Sequence, residues 1–210
     1  MIKELQVQGV FAENTYFYID PHSKSGFLID PGAQAGIIYD TIVRNGWTIE
    51  KILLTHGHFD HMGAAEILRE KLVAPIYIYP DEARYLADPY LNLSANSGAP
   101  VTISHYEELY DGETIRLKAN SEFYLKVIHT PGHTPGSVTY WSPDEKAAFV
   151  GDLLYQHGPG LTNFPGGNRR LLEESIVNKI FTLPGDTILL SGHSSPISVA
   201  DEKRLLLGGQ

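Results

Sequence analysis

The chain has 210 residues, 42% of them hydrophobic and 20% charged, enough to bury a sizeable core in one globular domain spanning residues 1–210. Its formal net charge of −9, from 16 basic and 25 acidic residues, offers no basic footprint for a nucleic-acid backbone. Cysteine is absent, which excludes disulfides, thiolate metal ligands and a cysteine nucleophile, so any metal is held by nitrogen and oxygen.

The N-terminal stretch alternates apolar and polar residues, and no apolar run reaches membrane-spanning length, so a cytoplasmic protein with no membrane contact is expected. KELQVQGV, NTYFYID and GFLIDPG are short, rich in β-formers and closed by Asp, Pro or Gly, which predicts an antiparallel meander. AQAGIIYDTIVRNG then sets Ile37, Ile38, Thr41 and Ile42 on one helical face and stops at Asn45-Gly46. IEKILLTH reads as a strand buried on both faces, with a helix from about His61 through AAEILREKL. PIYIYP is a short strand, DEARYLAD a short helix, and DPYLNLSANSGAP an irregular loop of the kind that borders a site.

Strand signals resume in ETIRL, FYLKVIHTPG, SVTYW and AAFVGDLLY. A helix near RRLLEESIVNKIF, a last strand TILLSGH and a short helix in DEKRLLLGGQ, fraying at Gly208-Gly209, complete the pattern. Two strand-rich halves, each with its own helices, predict an α/β (α+β) fold of two sheets packed face to face with helices outside.

Within THGHFDHMG, residues 55–63, His56 and His58 lie two apart on an extended segment, so both imidazoles face one side and reach one ion. Asp60 and His61 continue past the turn toward a neighbouring position. Imidazole nitrogen and carboxylate oxygen are the ligands zinc takes without thiolates, and carboxylates also bridge two ions. Three more candidates each follow a strand-like run and a glycine: His133 in HTPGHTPGS, Asp152 in FVGDLLY and His193 in LLSGH. Glycine there lets the backbone approach a metal without a Cβ clash. His22, His105 and His129 read as solvated or hydrogen-bonded side chains, and His157 as a loop histidine.

THGHFDHMG, HTPGHTPGS, VGDLLY and SGH, in this order and over nearly the whole chain, resemble the metallo-β-lactamase superfamily. The resemblance implies a four-layer αβ/βα sandwich with the site at one edge between the sheets. It implies that His56, His58 and His133 hold one divalent metal ion, that Asp60, His61 and His193 hold a second, and that Asp152 bridges them. Zinc is the expected pair, with iron or manganese as the other candidates.

An aspartate at position 152 resembles the glyoxalase II-like branch, whereas true β-lactamases of this fold generally lack it. GPGLTNFPGGN and KIFTLPGDT are similar to segments of small glyoxalase II-like hydrolases and of persulfide dioxygenases, both of which use glutathione conjugates. The family pattern in the first segment reads Gly-Arg-Thr-Asp-Phe, and here Leu161 replaces the arginine and Asn163 the aspartate. Arg169 and Arg170 are left either to supply the missing cation or to form a solvated helix start.

The resemblance therefore implies a hydroxyacylglutathione hydrolase-like enzyme that acts on a small-molecule thioester or ester with metal-activated hydroxide, Asp60 orienting that hydroxide or shuttling its proton. Two other readings stand beside it. One is a persulfide dioxygenase with a single iron at His56, His133 and Asp152. The other is a metal-binding module without turnover. Nothing in the sequence specifies an oligomeric state.

Overall fold

β-Formers in the first 30 residues pair as a meander in the computed structural model, which describes residues 1–208. β1 (Ile2–Gln8), β2 (Ala12–Ile19) and β3 (Ser25–Ile29) are antiparallel neighbours. α1 (Ala35–Asn45) ends on Gly46, whose left-handed φ of 63° lets its N–H close on Ile42 and Val43 carbonyls. The chain then returns as β4 (Thr48–Leu53), parallel to β3.

α2 (Phe59–Met62) and α3 (Ala65–Leu72) lead to β5 (Ile76–Ile78), and α4 (Ala83–Ala87) leads through a long loop to β6 (Glu107–Glu108). β4, β5 and β6 continue the sheet in parallel, giving the order β1-β2-β3-β4-β5-β6.

The second sheet starts with antiparallel β7 (Thr114–Arg116), β8 (Tyr124–His129), β9 (Val138–Ser142) and β10 (Ala147–Gly151). A small hairpin, β11 (Leu154–Tyr155) and β12 (Gly158–Pro159), and helix α5 (Arg169–Asn178) follow. β13 (Ile188–Ser191) returns parallel to β10, β14 (Ile197–Ser198) closes the edge, and α6 (Val199–Leu207) ends at Gly208. The sheet order is β14-β13-β10-β9-β8-β7. Gly209, named in the expected fraying, lies outside the described residues.

Three apolar layers bind four structural ones. Ile38 and Ile42 of α1 and Leu68 of α3 pack on Phe17, Leu28 and Ile52 of the first sheet. Tyr16, Phe27, Leu125, Tyr140 and Phe149 fill the space between the sheets. Leu172 and Ile176 of α5 and Val199 of α6 cover Ala148, Val150 and Leu189 on the far side. This is the αβ/βα sandwich. Each fully buried Leu, Ile or Phe contributes roughly 1.5–3 kcal/mol of transfer free energy, so the middle layer is what holds the two halves together.

Two sequence expectations need correction. Ile37 is exposed, because the stripe facing the sheet is Ile38 and Ile42, one turn apart, and Ile37 points about 100° away from it. The single helix expected from His61 is two helices, since Ala64 N–H bonds Pro31 O rather than the carbonyl one turn back.

Candidate metal centre

Parallel pairing of β3 with β4 and of β10 with β13 brings four strand ends to one edge of the sandwich. The segment after β4 delivers His56 from a bend and His58 from extended backbone, with His58 starting α2, and then Asp60 and His61 from inside that helix. His133 comes from the turn between β8 and β9, Asp152 from the end of β10, and His193 from the end of β13. All seven side chains meet. His56, His58, His61 and His133 are almost completely buried, while Asp60 and His193 face a cavity.

The donor atoms form two groups. His58 Nδ1 lies 3.2 Å from His56 Nε2 and 2.9 Å from His133 Nε2. On the other side, His61 Nε2 lies 3.3 Å from His193 Nε2, which is 3.2 Å from Asp60 Oδ2. Asp152 spans the two: Oδ1 is 3.2 Å from His61 Nε2, and Oδ2 is 3.7 Å from His133 Nε2. Groups of three donors within 4.8 Å of one another include His56 with His58 and His133, Asp60 with His61 and His193, and His56 with His61 and Asp152.

Hydrogen bonds behind the rings settle which nitrogen faces inward. Asp30, at the end of β3, accepts from Thr55 N at 2.7 Å, from Thr55 Oγ1 at 2.6 Å and from His61 Nδ1 at 3.0 Å. Thr55 Oγ1, its proton given to Asp30, accepts in turn from His56 Nδ1 at 3.1 Å. His133 Nδ1 donates to Leu161 O and His193 Nδ1 to Ala12 O, both at 2.7 Å. Each of these four rings therefore turns Nε2 toward the centre, the orientation that metal-binding histidines take from their outer partners. His58 instead aims Nδ1.

Burial, reinforced by neighbouring imidazoles, lowers the pKa of His56 far below normal and that of His58 to about 3. His133 is lowered by burial as well. Neutral imidazoles converging at 2.9–3.2 Å have no proton to share, and a cation is the partner their lone pairs fit. Burial also disfavours charge on His61, but Asp152 and Asp30 outweigh it and raise its pKa. For Asp60 the His193 hydrogen bond and the charge of His61 overcome burial and keep the carboxyl ionised. Asp152 Oδ1 and His58 Nε2 are buried without a hydrogen-bond partner. The donor set fits divalent ions.

Two glycines fulfil the expected role. A Cβ on Gly192 would strike the His61 ring and sit 2.8 Å from Asp152 Oδ1, while Gly151 takes a φ of 53° to turn Asp152 inward. Glu82 was invisible to the sequence motifs. Fully buried, it accepts from Gly57 N at 2.8 Å and Gly136 N at 2.7 Å, tying the loop of His56 and His58 to the loop of His133. Tyr155 was also missed, and its hydroxyl donates to Asp152 Oδ2 at 2.8 Å.

A cavity of about 780 Å³ opens over the cluster, lined by Phe11, Phe59, Tyr90, Leu93, Leu161 and Phe164 together with His58, Asp60, His133, Asp152, Tyr155 and His193. The loop of residues 88–100 borders it through Tyr90, Leu93, Asn96 and Ser97, as expected. Arg169 and Arg170 do not line it: they pair with Glu173 and Glu174 on their own helix, so they form the solvated helix start and supply no cation to the site. His129 stacks on Tyr79 and His157 is an exposed loop residue.

Two sheets between helices, with a paired histidine-aspartate cluster at one edge, are the architecture of the metallo-hydrolase superfamily. The Metallo-beta-lactamase superfamily model matches residues 8–193, and the chain belongs to that family, whose fold binds divalent metals. The chain is 42% identical over 163 residues to a Bacillus subtilis protein named Probable metallo-hydrolase YqgX, covering 77% of this chain and 76% of that protein. It is 33% identical over 159 residues to Hydroxyacylglutathione hydrolase GloC of Haemophilus influenzae, covering 74% of each. Among solved structures, BLEG-1 B3 metallo-beta-lactamase superposes with a TM-score of 0.89 at 35% identity, over 97% of this chain and 96% of that one. Among the described residues no helix is long and apolar enough to cross a membrane.

Proposed function

We propose that the chain is a metal-dependent hydrolase of thioesters, with hydroxyacylglutathione as the reference substrate of that class. The observation that carries this reading is the convergence of seven donors, most with their tautomers set by outer hydrogen bonds, under a cavity of substrate size. His56, His58 and His133 would hold one ion, Asp60, His61 and His193 the other, with Asp152 between them. Zinc is the first choice for this nitrogen and oxygen set. Such a pair of ions supplies a hydroxide nucleophile at neutral pH and polarises a carbonyl oxygen.

The chain's own residues do the rest. Asp60, ionised and facing the cavity, orients the attacking oxygen and takes its proton. Tyr155 holds Asp152 in place through its hydroxyl. A thiolate leaves without help from a general acid, which suits a lining whose acids, among the described residues, are Asp60, Asp152 and the Tyr155 hydroxyl already bound to Asp152. The similarity to the Haemophilus hydrolase supports the thioester class.

Protein loaded with zinc is expected to hydrolyse S-lactoylglutathione or an uncharged thioester such as S-acetyl-N-acetylcysteamine, and His58→Ala to lose the activity. If neither thioester is turned over faster than by that variant, the reading fails. Elemental analysis of the purified protein counts the ions: two zinc per chain supports the hydrolase, and one iron supports the dioxygenase. β-Lactam hydrolysis is the second reading, favoured by the likeness to BLEG-1, and cleavage of a chromogenic cephalosporin by the same preparation tests it.

A further inference from the structure

The walls of the cavity differ sharply from its floor. Every charged or metal-facing group is at the base, whereas the mouth carries Phe11, Tyr90 and Leu161, which are 56%, 74% and 53% exposed, with the uncharged Asn96 and Ser97 as the polar residues of the 88–100 loop beside them. Phe11, Tyr90 and Leu161 come from three separate segments: the turn between β1 and β2, the loop of residues 88–100, and the stretch after β12. Scattered exposed apolar residues need no explanation, but three around one opening, backed by Phe59, Leu93 and Phe164, form a patch.

Hydrogen bonds hold that lining in place. Asn92, completely buried, donates to Tyr85 O and Val101 O at 2.9 Å each, and its own carbonyl accepts from Phe59 N at 3.0 Å. Leu93 follows it directly, and Tyr90, two residues before it, donates its backbone N–H to Asp88 Oδ1 at 2.8 Å. Leu161 is anchored through the carbonyl that accepts from His133 Nδ1. Phe164 meets the His58 and His133 rings edge-on, with centroids 5.5 and 5.8 Å away.

Charge points the same way. Among the described residues no lysine or arginine lines the cavity, its only ionisable acids are Asp60 and Asp152 at the base and Tyr155, and the whole chain carries −9. A substrate whose distal part bears carboxylates would lose hydration there without gaining a cation.

We propose that this cavity selects a thioester whose part beyond the scissile bond is uncharged and hydrophobic, and that it discriminates against anionic peptide thiols such as glutathione. The inference rests on the thioester-hydrolase reading for the bond that is cleaved, and on the lining alone for the selectivity. Phe11, Tyr90 and Leu161 are its specificity-determining residues.

Non-hydrolysable thioethers test it by calorimetry on the zinc-loaded full chain. S-hexyl-N-acetylcysteamine is expected to bind at least tenfold more tightly than S-hexylglutathione, which shares its alkyl chain and differs in charge. Affinity in the N-acetylcysteamine series is expected to rise about fourfold per methylene from ethyl to hexyl. Tyr90→Ala should flatten that rise, and Leu161→Arg should narrow the gap between the two thioethers by threefold or more. Equal or tighter binding of S-hexylglutathione, or affinity indifferent to alkyl length, overturns the proposal. Because the thioethers cannot be cleaved, failure of the hydrolase reading shows separately, as thioether binding without turnover of either thioester.

Discussion

The Asp30 carboxylate accepts three hydrogen bonds, and two of them lead to histidines of the cluster, directly to His61 and through Thr55 to His56. Replacing it by Asn puts an amide donor where a carboxylate acceptor stood, which releases His61 and frees the Thr55 hydroxyl proton. Asp30→Asn is therefore expected to weaken metal affinity 10- to 100-fold, read by competition with a chromogenic chelator. Glu82 gives a pH signature. Burial raises its carboxyl from 4.5 to about 7, against the amide hydrogen bonds that favour the ionised form. Its folded pKa lies above its unfolded one, so the folded state holds the extra proton and stability falls as pH rises from about 4.5 through 7. At 1.36 kcal/mol per pKa unit the loss is on the order of 3 kcal/mol. Metal-free wild type should lose more thermal stability than metal-free Glu82→Gln between pH 5 and 8, and parallel profiles would show that Glu82 does not titrate there.

Helix α5 shows how an element borders the site without entering it. Asn168 caps it, its side chain accepting from Leu171 N at 3.1 Å, while its backbone N–H bonds Gly132 O beside His133. Asn168→Ala should cost about 1 kcal/mol and lower the melting temperature by roughly 2–4 °C, with metal content unchanged, since the backbone bond survives. The helix itself was legible from RRLLEESIVNKIF, as were the meander, β4 and the ligand-bearing strand ends, because long periodic runs and His-Gly clusters are local signals. β6, β12 and β14 were not, being two-residue pairings defined by a neighbour rather than by their own composition. Asp30 and Glu82 were silent for the same reason. An isolated acid acquires its role only when folding sets it against amides or imidazoles far along the chain. Leu161 was noticed as a missing cation, but only the lining around it turns that absence into a hydrophobic wall.

Across the whole molecule the cluster is a seam. His56, His58, Asp60 and His61 belong to the first sheet's half, and His133, Asp152 and His193 to the second's, so ions held there cross-link the two sheets. The seam has direct bonds too: Tyr16 OH and Asn14 Nδ2 donate to Ser191 O, Tyr140 OH to Leu54 O, and Val138 N to Thr55 O. With the middle apolar layer, these keep the halves together when the ions are removed. Binding of one ion to the folded state alone, with free metal at 100 times Kd, adds about 2.7 kcal/mol. In a chain of this size that corresponds to roughly 5–10 °C per ion. Dialysis against a chelator is thus expected to lower the melting temperature by that amount per ion removed while leaving the far-ultraviolet circular dichroism at 25 °C unchanged. An unshifted melting temperature would mean that the ions do not bridge the seam. Unfolding at 25 °C would mean that the direct bonds and the apolar layer do not suffice without them.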